Sequence, residues 1–259
     1  MIKGKESGAA EKRRLLIEQR RNTQLKIVAA VLLLGIIGEG LFILAKSNTF
    51  DVRKIQISGN KRIPTARIAK LAGVSTKTNI FDMRTAEVVR RVRTEPWIAS
   101  VQVRRELPLT IRIAVTERQA SAVVNMTGRF YLVDRAANVI EAKATNVYPG
   151  VALIAGSPFE EAKEPGEAFT DPSVKNALAV LVGLDKDIAV SVVSMAAPSI
   201  DGLSFQLRGG PVVMYGKSEM SKQKNYAIKV ILKEAANEGR VWQYIDVRVP
   251  SNPAAKAAA

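Results

Sequence analysis

Hydrophobic positions along this chain fall into three regimes, and the first sets the frame for the others. Ile27 to Ala45 reads IVAAVLLLGIIGEGLFILA, an apolar run broken only by Glu39. As a helix, such a run extends about 28 Å, close to a hydrocarbon core of about 30 Å. It predicts a single transmembrane helix over 27–45. A cleaved signal sequence would have a shorter apolar core and a small-residue cleavage site, and Ile43-Leu44-Ala45-Lys46 supplies neither. A soluble core helix would carry a polar face, and this run has none. Ahead of it, Lys3, Lys5, Lys12, Arg13, Arg14, Arg20, Arg21 and Lys26 outnumber Glu6, Glu11 and Glu18. That imbalance predicts a cytoplasmic basic tail over 1–26 and an extracytoplasmic location for everything after residue 45.

From Phe50 to Arg118 the periods alternate between strand and helix. Ile55 and Ile57 share one strand face, and Gly59-Asn60 ends that strand. Pro64 suits a helix start; Ile63, Ala66, Ala69 and Leu71 follow at roughly helical spacing, and Gly73 stops them. Asp82 is the expected cap of a second helix carrying Val88, Val89 and Val92. After Pro96, Val101 and Val103 alternate with polar residues, a turn falls at Glu106-Leu107-Pro108, and Ile111, Ile113 and Val115 alternate again. The predicted order is β-α-α-β-β, with Trp97 as a core or sheet-edge anchor and Glu117 and Arg118 as a candidate ion pair at the junction to the next domain.

Residues 119–250 predict a second region of mixed structure. Phe130–Val133 and Val139-Ile140 pair as a hairpin across Asp134–Asn138, with Asn138 at the position needing positive φ. A polar loop spans 156–172, a helix 173–185, and strands 188–193, 203–207 and 212–215. A helix over 219–237, capped by Ser218, is expected to bury Ala227, Val230, Ile231 and Ala235 and to keep Lys222, Lys224, Lys229 and Lys233 in water. Val241 to Val249 then alternates, Ile245, Val247 and Val249 on one face and Trp242, Tyr244, Asp246 and Arg248 on the other. Residues 251–259 are expected to be a flexible tail. The fold class is therefore α+β: a single transmembrane helix, a β-α-α-β-β domain over 46–118 and a distal mixed β-sheet domain over 119–250.

Composition narrows the chemistry. The chain has no cysteine and no histidine. This removes thiolate nucleophiles, disulfides, Ser-His-Asp triads and His- or Cys-ligated metals. No phosphate-binding loop or nucleophile elbow occurs, and the aspartates lack acid/base spacing. The chain is expected to be non-enzymatic, without cofactor, metal or small-molecule substrate. A net charge of +15 favours anionic partners. Translocation across the membrane and sparse aromatics argue against nucleic acid.

FDVRKIQISGN, then NIF, then EPWIASVQVRRELPLTIRIAVTER closely resembles the POTRA domain of the FtsQ/DivIB family of bacterial cell-division proteins. YLVDRAANVI and YIDVRV resemble that family's distal hairpin and closing strand. The resemblance implies a scaffold of the division machinery in the cytoplasmic membrane at the septum. It also implies FtsB-like and FtsL-like single-span partners, other divisome proteins and membrane lipid. The edge implied for β-augmentation comprises Tyr244, Asp246, Val247, Arg248, Val249, Ser251 and Asn252. Pro250 and Pro253 each remove a ladder donor. Either only Tyr244–Val249 pairs, or the partner adopts a register avoiding the prolines. Ser100, Val103 and Arg105 form a second expected contact strand. Glu39, flanked by Gly35, Gly38 and Gly40, is an expected contact with a partner helix in the bilayer. A POTRA-based polypeptide transport or chaperone component is the alternative.

Overall fold

The computed structural model describes residues 3–126, 128–143, 145, 148, 150–155 and 162–258, with side chains from residue 23 onward. Helix α1 runs Lys3–Ala45 without a break. The backbone of the basic segment therefore continues the membrane helix. Thr23–Ala45 is the one stretch among the described residues long and apolar enough to cross a membrane, and none of it is buried in the protein.

A 3₁₀ turn, Asn48–Phe50, leads directly into the first globular unit. Its elements are β1 (Lys54–Ser58), α2 (Thr65–Ala72), α3 (Thr85–Val92), β2 (Ile98–Glu106) and β3 (Thr110–Glu117). The sheet order is β1-β3-β2, with β1 parallel and β2 antiparallel to β3. Ile68 and Ala72 of α2 and Val88 and Val92 of α3 pack on Ile111, Ile113 and Val115 of β3. Each buried aliphatic side chain of Val or Ile size is worth about 1.5–3 kcal/mol. Gly73 ends α2 in the left-handed conformation, as expected. Gly59 is needed for a stronger reason: at φ +86°, a Cβ there would sit 2.0 Å from the Val115 carbonyl oxygen. Asp82 does not cap α3. The helix starts three residues later, at Thr85, and Asp82 instead pairs with Lys46 at the end of the membrane helix.

Two residues beyond β3 the chain enters a nine-stranded sheet. Its first strands are β4 (Ala120–Met126), β5 (Arg129–Asp134), β6 (Val139–Lys143) and β7 (Ala152–Ala155). Helices α4 (Pro172–Gly183) and α5 (Lys186–Ala189) precede β8 (Val192–Ala196), β9 (Ser204–Leu207) and β10 (Val212–Met214). Helix α6 (Ser221–Glu238), β11 (Trp242–Asp246) and β12 (Ala254–Ala257) complete the chain. The order is β12-β11-β10-β9-β8-β7-β4-β5-β6. Asp171 caps α4 by accepting from the Ser173 and Val174 amides.

The period of two divides β4–β6 between two cores. Val124, Tyr131 and Val133 join the large core under α4 and α6, whereas Val123, Leu132 and Ile140 join the core of the first unit. Packing is thus continuous from one unit to the next. Polar bonds reinforce it. Arg118 does not pair with Glu117: it is ion-paired to buried Asp134 at 2.5 Å and donates to the Pro96 carbonyl, while Glu117 accepts from the amides of Lys61, Arg62 and Ile63. Trp97 Nε1 and the Tyr148 hydroxyl both donate to Glu141.

Several expected details differ. Positive φ falls on Ala137; Asn138 instead donates its side-chain amide to Asp134. Residues 186–189 form α5, so the strand expected from 188 begins at Val192. Helix α6 begins at Ser221, with Met220 in the left-handed conformation ahead of it. Lys224 does not face water. It is 3 % exposed, over the Tyr215 ring and donating to the carbonyls of Tyr215 and Lys217. The largest difference concerns the tail: Ala254–Ala257 form β12, antiparallel to β11.

Candidate protein-interaction surface

The C-terminal end of the large sheet is built from α6 inward. Ile228 and Ile231 fix the helix on the core, and its buried polar residues fix the loop before it. Asn225 donates to the Gly183 carbonyl and accepts from the Tyr215 hydroxyl; Lys224 holds the Tyr215 and Lys217 carbonyls. Burial holds the Lys224 ammonium below the ordinary lysine value. On α4, Asn176 donates to the Gly216 carbonyl and accepts from the Ser218 amide. These contacts position β10, on which β11 lies in parallel register through Val212–Tyr244, Val213–Ile245 and Met214–Asp246.

The structure separates the expected edge residues by role. Tyr244 and Asp246 lie on β11, whose two sides are already paired, to β10 and to β12. Val247 is buried and bonded through its amide to the Met214 carbonyl. A bulge between Trp242 and Tyr244 turns Trp242 toward α6, where its indole donates to the Ile231 carbonyl; the alternation expected from sequence is broken there. Arg248 makes bidentate contacts to Asp246, its Nε 3.0 and 3.1 Å from the two carboxylate oxygens. The guanidinium–carboxylate hydrogen bonding outweighs burial and holds the Asp246 carboxyl below its usual value. Val249 is 60 % exposed, and Ser251 and Asn252 lie in the exposed turn before β12. The free edge is therefore one strand further out than the sequence indicates. Pro250 and Pro253 precede β12, so neither removes a donor from its ladder.

The outer side of β12 faces no strand among the described residues. Ala258 donates inward to Val241, so by strand alternation Ala255 and Ala257 direct their amides outward. Beside this edge is an apolar hollow of 540 Å³ between α6 and the 250–253 turn, lined by Tyr226, Ala227, Val230, Ile231, Pro250 and Pro253. Tyr226 is 72 % exposed there. The opposite edge of the sheet is covered where β6 begins: Val139 exchanges backbone bonds with Gly166 and Glu167.

The second expected contact strand, β2, is an edge of the small sheet. Ser100 is exposed and Val103 half-buried, and Arg105 folds back to donate to the Met83 carbonyl. Glu39 is exposed on α1, and nothing lies within 4 Å of a Cβ placed at Gly35, Gly38 or Gly40. The structure thus brings the C-terminal residues together and leaves the other two groups on separate surfaces. Among the described residues, no cluster of acidic side chains has the arrangement of a metal site.

Together, one apolar helix, a β-α-α-β-β unit and a distal sheet ending in an open strand define a membrane-anchored protein of POTRA architecture. Residues 50–118 match the family described as POTRA domain, FtsQ-type, and residues 122–248 match the C-terminal domain of cell division protein FtsQ/DivIB. The chain is 30% identical over 233 residues to cell division protein FtsQ of Mycobacterium tuberculosis (strain ATCC 25618 / H37Rv), covering 90% of this chain and 69% of that protein. It is 28% identical over 247 residues to FtsQ of Streptomyces bingchenggensis, covering 94% and 89%. Against cell division protein DivIB of Clostridium tetani it is 22% identical over 209 residues, covering 79% and 78%. The chain belongs to the FtsQ/DivIB family of cell division proteins.

Proposed function

We propose that this protein is a non-enzymatic scaffold of the septal division machinery, holding small single-span coiled-coil partners of the FtsB and FtsL kind through the outer edge of β12. Its N-terminus lies in the cytoplasm and the rest outside, as the cations before the span favour. The observation that carries the reading is the open β12 edge, with outward amides at Ala255 and Ala257 beside the apolar hollow under Tyr226. An added strand would gain main-chain hydrogen bonds there, and the hollow would take apolar side chains flanking it. Ser251, Asn252 and Val249 border the same edge. Asp246 engages Arg248 from within the sheet, which leaves Lys256 as the strand's own cation for an acidic partner. Ser100, Val103 and Arg105 of β2 offer a second, membrane-proximal contact to other divisome proteins, and Glu39 a polar contact to a partner helix.

The test is capture of purified FtsB-like ectodomain by the full chain in detergent, with and without Ala255→Pro and Ala257→Pro. Proline at outward positions removes donors to a partner while leaving pairing with β11. Loss of capture with an unchanged circular dichroism spectrum is expected; undiminished capture would reject the β12 assignment. A transport or chaperone component would instead bind many unfolded peptides with similar affinity.

A further inference from the structure

The membrane helix does not reach the first globular unit through a loose linker. Asn79 donates its side-chain amide to the Ala45 carbonyl at 2.9 Å and the Ser47 carbonyl at 3.2 Å, capping the last turn of α1. Lys46 is ion-paired with Asp82. The Phe50 and Phe81 rings meet edge to face, centroids 5.2 Å apart. Backbone bonds extend the joint: Ile80 donates to Phe50, Val52 to Thr78, and Arg53 to Leu109. The α2–α3 loop and the tip of the β2–β3 hairpin therefore lie side by side where the span ends.

That end of the unit combines exposed apolar side chains with cations. Phe81 is 47 % and Leu107 68 % exposed. Around them stand exposed Arg53, Lys77 and Arg84, none with a carboxylate partner among the described residues. The acidic groups at this end are Asp82, neutralised by Lys46, Glu106, neutralised by Arg112, and half-buried Asp51. Apolar tips ringed by unpaired cations match the layered chemistry of a bilayer surface, apolar below and phosphate above.

We propose that this face is a membrane-docking surface. Phe81 and Leu107 enter the headgroup–acyl boundary of the leaflet that the span leaves, and Arg53, Lys77 and Arg84 meet anionic lipid phosphates. The domain then lies against the bilayer instead of standing off it, which sets the direction in which β2 and the distal sheet point.

The chain has no cysteine, so a single introduced thiol labels uniquely. Full-length protein in nanodiscs containing about 25% phosphatidylglycerol would carry an environment-sensitive fluorophore at Leu44→Cys, Thr76→Cys, Leu107→Cys or Lys233→Cys, with spin-labelled lipid as quencher. Quenching at Leu44 reports insertion of the span independently of docking. Positions 76 and 107 are expected to be quenched well above position 233, and the excess is expected to vanish in Arg53→Gln/Lys77→Gln/Arg84→Gln and at about 0.5 M salt. Quenching at 44 with none above the position-233 level at 76 and 107 would overturn the proposal. Equal quenching at 76 and 107 in pure phosphatidylcholine would overturn its cationic part.

Discussion

The β2 edge of the POTRA-type unit, nominated from sequence, and the β12 edge of the distal sheet, one strand beyond the one nominated, differ in what blunts them. The β2 edge carries Arg104 and Arg105, has a bulge near its start between Ile98 and Ser100, and has one arginine tied back to Met83. Charges and bulges are the ordinary defences of an edge strand. The β12 edge has three alanines and a lysine, with the chain's last two prolines kept outside the strand. Small side chains let a partner backbone approach closely. These features favour β12 for the proposed main-chain strand addition and leave β2 suited to side-chain contacts.

Packing runs without a break between the units that carry the two edges, and the largest expected effect comes from loosening their junction. Arg118→Ala leaves Asp134 buried without its cation and should cost about 3–5 kcal/mol, read as a lower midpoint in urea denaturation. If the loss is below about 1 kcal/mol, the junction is not what couples the edges. Next, Ala255→Pro with Ala257→Pro should weaken partner capture by about 10–100-fold, two main-chain hydrogen bonds at about 0.5–1.5 kcal/mol each, measured by interferometry on the full chain.

Glu117→Gln should destabilise the junction by about 1–3 kcal/mol, because the charge-assisted bonds to the amides of 61–63 become neutral ones. Burial pushes the Glu117 carboxyl up, but the three backbone donors and the Arg62 charge outweigh it and hold it below the ordinary value. A carboxyl depressed in the folded state stabilises above its unfolded pKa of about 4.3 and loses that contribution as pH falls through the folded value. Wild-type stability should therefore drop more steeply than that of Glu117→Gln below about pH 4, as followed by thermal melts. The smallest effect separates the two edges most directly: Ser100→Glu, at an exposed position of the β2 edge, should leave capture by β12 within about twofold, the scale of an ordinary surface substitution. A tenfold loss would mean that both edges serve one partner.

Much of the first unit was legible because its signals are local. Ile55 and Ile57, Val88 and Val92, and Ile111 through Val115 carry the periods of their elements, and Gly59, Gly73 and the turn before Thr110 lie where chain direction changes. The C-terminal site was legible only to within one strand. Alanine has low strand propensity, so Ala254–Ala257 carry no strand signal; they pair because β11 presents an otherwise empty ladder. Lys222, Lys229 and Lys233 share one helix face, whereas Lys224, two residues from Lys222, falls on the opposite face with Ile228 and Ile231; the spacing places it there, but not the partners that let a lysine stay buried. Its burial follows from the Tyr215 and Lys217 carbonyls that the preceding loop delivers. Asp82, a plausible cap by composition, was claimed by Lys46 from another element.

Local signals alone established the membrane helix, the β-α-α-β-β order and the absence of thiol and imidazole chemistry, since all of these rest on composition or on periods within some twenty residues. Long-range packing settled which strand is last in the sheet, which cations are buried or neutralised, and how Asn79 fastens the membrane helix to the loop beside it. Each of those outcomes is a competition between groups distant in sequence for one partner, and it is resolved only where they meet in space.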